Sequence, residues 1–117
     1  MVKSCRIRSL GSLPDGTKIV EVDGPCIRRS HVEFIQGGHG RVYRWIGKNT
    51  ILVERMRDRQ DECAIALHEI TEHQDMKYRG LKYERAHAIA NRQETAFRRS
   101  GWDMCKSVQS AWKLRWR

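Results

Sequence analysis

The sequence predicts an α+β fold: a small antiparallel sheet, then an antiparallel helical hairpin, then a short C-terminal helix. Two observations carry this expectation. From Lys18 to Glu54, short segments rich in Val, Ile, Tyr and Phe are separated by glycine-containing turns, which is the texture of strands. After about Arg57, apolar residues recur at three- and four-residue intervals instead, the period of helices with one apolar face.

The strand candidates, in order, are IVEVDG, CIRRSHVEFI, RVYRWI and TILVE, punctuated at Gly24, at Gly37 and Gly38, and from Gly47 to Asn49. Pro14 and Pro25 fall outside their interiors, as strand pairing requires. DRQDECAIALHEITEHQDMKY then runs without Gly or Pro, with Ala64, Leu67, Ile70 and Thr71 along one face, and Gly80 supplies its stop signal. A second helix begins near Tyr83, carries Ala86, Ile89, Ala90 and Phe97 on its apolar side, and ends at the Arg-Arg-Ser-Gly of residues 98 to 101. The short connection makes the two helices an antiparallel hairpin. In WDMCKSVQSAWKLRWR, Met104, Val108 and Trp112 share one side, as in a third short helix.

At 117 residues the chain suits a single domain, 1–117, with sheet over about 17–54, the helical hairpin over 58–98 and a basic aromatic tail over 102–117. A hydrophobic fraction of 39% and a charged fraction of 32% fit a modest core. No run of about 18 apolar residues is present to span a membrane, and MVKSCRIRSLGSLPDG lacks the apolar stretch of a secretory signal. These features predict a cytoplasmic protein. Cys5, Cys26, Cys63 and Cys105 are spread along the chain without CxxC spacing, so reduced, structural thiols are expected rather than a zinc ribbon or a disulfide framework. The formal charge of +9 favours anionic partners.

Chemistry concentrates on the two long helices. His68 and Glu72 are four residues apart, hence on one face, where they can hold a metal ion between them. The zincin form His-Glu-x-x-His uses two histidines as zinc ligands and the intervening glutamate to activate metal-bound water. Here Glu72 stands at the second histidine position, and a carboxylate is an acceptable zinc ligand. His87 offers the third ligand if Ala86 and Ala90 let the second helix approach the first. Glu94, two turns beyond His87, is too far along the axis for the same ion and suits a supporting carboxylate, or a ligand to a second metal. Glu69 and His73 are also four apart, and periodicity alone does not choose between the two registers.

The ordered motifs VDG at 22 to 24, FIQGGHGRVYRWIGKN at 34 to 49, LHEITEH at 67 to 73 and GLKYERAHAIANRQE at 80 to 94 cover about two thirds of the chain. Together they resemble a family of small uncharacterised phage and bacterial proteins that is similar to minimal zincins. The resemblance implies a peptidase-like, zinc-dependent hydrolase, with His68, Glu72 and His87 as ligands of zinc or another divalent ion. It further implies Glu69 as the water-activating base and Tyr83 and Glu94 as supporting residues, and it selects the His68–Glu72 register. The chain departs from the family pattern at Gly47, where Pro is common, at Arg55 and Arg57, where acidic residues are common, and in its basic tail; these differences bear on the substrate, expected to be a peptide or protein.

His39, between glycines that allow left-handed angles and close approach, has two readings. It is either a further catalytic or ligating residue, or a turn histidine bonded to neighbouring backbone. In the tail, Lys106, Lys113, Arg115 and Arg117 interleave with Trp102, Trp112 and Trp116, and Arg98 and Arg99 precede them, a mixture able to neutralise phosphates and stack on bases. The alternative to a hydrolase is therefore a noncatalytic nucleic-acid- or partner-binding protein with a structural or vestigial metal site. Packing of Trp102 and Trp112 over the hairpin is the competing role for the tail.

Overall fold

A computed structural model describes residues 2–101 and 103–112. Four strands, β1 (Arg6–Ser12), β2 (Lys18–Val22), β3 (Gly37–His39) and β4 (Thr50–Glu54), form one sheet in the order β1-β2-β4-β3. Helices follow, α1 (Gly24–Arg28) between β2 and β3, then α2 (Arg59–Tyr78), α3 (Tyr83–Ser100) and α4 (Met104–Trp112). The class is α+β, with two long helices and a short C-terminal one.

The sheet is mixed rather than antiparallel throughout. β1 pairs with β2 and β3 with β4 antiparallel, but β2 and β4 run parallel with Ile19 opposite Ile51 and Val20 opposite Leu52. A parallel pair needs a long crossover, and the chain between Val22 and Thr50 supplies it. CIRRSHVEFI, expected as a strand, instead opens as α1. Asp23 accepts a hydrogen bond from the Cys26 amide, and Pro25 stands in the first turn, both start signals of a helix. RVYRWI, also expected as a strand, closes into a 3₁₀ turn at Arg44–Ile46, because the chain must reverse there to bring β4 beside β3. β1 lies ahead of the stretch expected as sheet.

The central strands alternate between two apolar layers. Ile19, Ile51 and Val53 face α2, packing with Cys63, Ala64, Ala66, Leu67 and Ile70. Val20, Val22 and Leu52 face α1 and the turns around it, with Ile27, Phe34 and Ile46. Because α2 is covered by the sheet on one side and by α3 and α4 on others, its buried residues include Glu62, His68, Glu72 and His73 as well as the apolar set. Asp58 caps its start by accepting from the Gln60 and Asp61 amides. Gly80 and Gly101, at φ of +65° and +71°, take the left-handed conformation that closes α2 and α3 at the positions expected. Among the described residues, no helix is long and apolar enough to cross a membrane.

All four cysteines are paired, Cys5 with Cys26 and Cys63 with Cys105, at Cα separations of 5.5 and 5.1 Å. This corrects the expectation of free thiols. The partners lie 21 and 42 residues apart, so no local spacing announces them; the folding of α1 against the N-terminal turn and of α4 against α2 makes each pair. Breaking the second bridge releases a loop of 42 residues. The Cys105→Ala variant is expected to lose about 3 to 4 kcal/mol of stability by chain entropy. Denaturant midpoints of variant and wild type without reductant check this, and equal midpoints would refute it.

Candidate metal centre

Three elements converge on one carboxylate. Glu72, on α2 and almost wholly buried, receives a histidine from β3, another from its own helix and a third from α3. His39 Nε2 lies 2.7 Å from Glu72 Oε1, while His68 Nε2 and His87 Nδ1 lie 3.3 and 2.8 Å from Oε2. His68 Nε2 and His87 Nδ1 are themselves 3.3 Å apart. Fully buried Ala86 and Ala90 permit this approach of α3 to α2, as their small size predicts.

The outer nitrogens settle the tautomers. Glu94 Oε1 accepts from His68 Nδ1 at 3.1 Å, and without a metal the raised pKa of His68 keeps a second proton on Nε2, which faces Glu72. Arg98 in turn donates to Glu94 at 2.9 Å and to Asp61 at 2.7 Å. His39 Nδ1 accepts the Arg41 amide at 3.2 Å, so its Nε2 carries the proton and donates to Glu72. His39 is thus neither a simple backbone-bonded turn residue nor, in this tautomer, a free ligand. It orients the carboxylate and turns Oε2 toward the other two histidines. His73 is committed elsewhere: its Nε2 donates to the Lys48 carbonyl at 3.0 Å and its Nδ1 accepts from the Gln74 amide group at 3.0 Å. The His68–Glu72 register is therefore the one brought together.

Two groups of side chains have donor atoms close enough for one ion: His68, Glu72 and His87, and also His39, Glu69 and Glu72. The first matches the ligand set expected from the sequence. Zinc bonds of about 2.0 to 2.2 Å at tetrahedral angles place ligand atoms roughly 3.3 Å from one another, close to the 2.8 to 3.3 Å found here. The donor set could hold a metal ion. Glu72 and His87 open onto a cleft of about 270 Å³, whose walls also include His39, Tyr43, Glu69 and Tyr83. The Tyr83 ring stacks on His87 at 5.1 Å between centroids, with its hydroxyl 3.4 Å from Nδ1.

Electrostatics follow from burial and these contacts. Burial resists the Glu72 charge, but hydrogen bonds from His39, His68 and His87 prevail and hold its pKa down at about 2. Burial likewise opposes a charge on His68, yet Glu72 and Glu94 raise it to about 10. Among the described residues Glu69 has no such donors. Burial, reinforced by the charge of Glu72, pushes it up to about 8. Burial lowers His73 to about 4, in keeping with a structural role.

The GGHG segment, expected as a turn, forms strand β3 through His39 and works by close approach. A Cβ on Gly37 would stand 2.9 Å from Glu69 Cγ, one on Gly38 3.1 Å from the Tyr43 ring, and one on Gly40 1.5 Å from the Gly47 carbonyl oxygen. Left-handed angles, the other expected use of these glycines, are taken by Gln36 instead, at φ 65°. Sequence reasoning missed Tyr43 as a cleft wall. It also grouped Arg98 with surface cations for nucleic acid, whereas Arg98 anchors Glu94; the signal was the four-residue Glu94–Arg98 spacing. Arg99 and Lys106 are exposed. Trp102, Lys113, Arg115, Trp116 and Arg117, and the side chain of Trp112, lie outside the described residues, so the expected tail surface is not among them.

Comparison of the chain with protein-family models, with curated proteins and with solved structures gave no match.

The raised Glu69 pKa has a defined pH signature in protein freed of metal. Below its ordinary value of 4.5 the group is protonated folded and unfolded, with no effect; between 4.5 and about 8 only the unfolded chain ionises, so stability falls, and the loss is complete above 8. Glu69→Gln removes that loss. Its melting temperature relative to wild type, measured in chelator, is expected to rise from pH 4 to pH 9; a constant difference would contradict the burial.

Proposed function

We propose that the protein is a zinc-dependent hydrolase of peptidase-like type, with His68, Glu72 and His87 as the ligands. The observation that carries this reading is the convergence of His68 Nε2, Glu72 Oε2 and His87 Nδ1 within 2.8 to 3.3 Å of one another beside an open cleft. Structural zinc sites are closed by four protein ligands, while catalytic ones keep three and an open position. Three ligands at a cleft favour catalysis over the noncatalytic alternative. The likeness of the LHEITEH and YERAHAIANRQE segments to minimal zincins supports the same reading.

A zinc ion held by His68, Glu72 and His87 would supply a Lewis acid for a substrate carbonyl and for water. The chain supplies the rest. Glu94 holds His68 by its outer nitrogen, as carboxylates behind metal-bound histidines do, and His39 fixes Glu72. Tyr83 positions His87. Glu69, one residue from His68 and on the cleft wall, is the base that takes the proton from attacking water. Peptide or protein carbonyls are the proposed substrates. The two disulfides support an oxidising compartment as the working environment in place of the cytoplasm.

Elemental analysis of protein purified without added metal is expected to find about one zinc per chain, lost in His68→Ala and His87→Ala. Glu94→Gln should weaken zinc binding by about 10- to 100-fold. Glu69→Gln should keep the zinc and lower peptide hydrolysis by about 10² to 10⁴. Protein devoid of metal, with His68→Ala changing nothing, would end the proposal.

A further inference from the structure

We infer that a second pocket, formed by Arg41, Arg44 and Lys48, binds a phosphate oxyanion. The pocket has a volume of about 490 Å³ and is lined by these three cations with Gly40 and Met76. It shares no lining residue with the cleft of the metal centre. One turn of chain divides the two sites. The Val42 and Tyr43 amides both donate to the His39 carbonyl, so His39, Val42 and Tyr43 line the cleft while Gly40, Arg41 and Arg44 line the second pocket.

Three features point to an anion. No acidic residue lines the pocket, and among the described residues none of the three cations has an ion-pair partner. Arg41 is half-buried, its Nε enclosed without an acceptor, so its guanidinium is held by the fold while its charge stays unpaired. Three cations lining one concavity with no acidic group among them repel one another, and an anion seated there relieves that repulsion. Guanidinium groups with an ammonium in one concavity match the oxygens of phosphate. The net charge of +9 would draw such a group in as part of a nucleic-acid backbone or as free phosphate.

The test uses the full chain freed of metal, so its outcome is independent of the metal centre. Inorganic phosphate and a twelve-nucleotide oligothymidylate are titrated by calorimetry into wild type, into Arg44→Gln/Lys48→Gln, and into Arg99→Gln/Lys106→Gln as a control. Arg44 and Lys48 are exposed, so the double variant should keep the wild-type circular dichroism spectrum. Phosphate binding about tenfold or more weaker in Arg44→Gln/Lys48→Gln alone is expected. A parallel loss of oligonucleotide binding identifies the backbone phosphate as source; oligonucleotide binding that is absent or unchanged identifies free phosphate. If phosphate does not bind, or binds the double variant as well as wild type, the inference is overturned.

Discussion

A carboxylate taken out of water must be met by donors or give up its charge, and Glu72 keeps its charge because three histidines surround it. Each comes from a different place: His39 from β3, His68 from α2 itself, His87 from α3. Those contacts tie the sheet edge and both long helices to one point. The relative placement of these elements and the geometry of the candidate centre are therefore the same fact. A second ring of contacts, Asp61 to Arg98 to Glu94 to His68, carries the constraint out to the surface of the helical hairpin.

Small residues make that convergence possible. Ala86 and Ala90 bring α3 close to α2, while Gly37 leaves room for Glu69 and Gly40 for the Gly47 carbonyl. The contrast between Glu69 and Glu72 shows how little separates two roles. They are three residues apart on one helix, yet the first lacks hydrogen-bond donors and is pushed toward protonation, and the second, with three, is held ionised. Environment, rather than residue type, decides which of the two carries a charge.

Charge is partitioned just as sharply. Acidic groups collect at the cleft, with Glu33, Glu69 and Glu72 on its walls, although the chain as a whole is strongly basic. Three of the cations gather on the opposite side of the β3-to-turn connection. A single reversal of the chain after His39 separates the two fields.

What the sequence determined by itself was local. The two long helices, their glycine stops and the shared face of His68 and Glu72 follow from interactions within one or two turns, which spacing records. The small residues on the second helix also foretold its close approach. Tertiary structure decided what depends on distant partners. It made the β2–β4 pair parallel, turned CIRRSHVEFI and RVYRWI into helix and turn under the demand for a crossover, and paired cysteines 21 and 42 residues apart. It also gave His39 its task, since whether a histidine donates to a carboxylate or binds an ion depends on which nitrogen the Arg41 amide occupies. Periodicity registers which face a residue lies on; only the folded chain decides which atom meets it there.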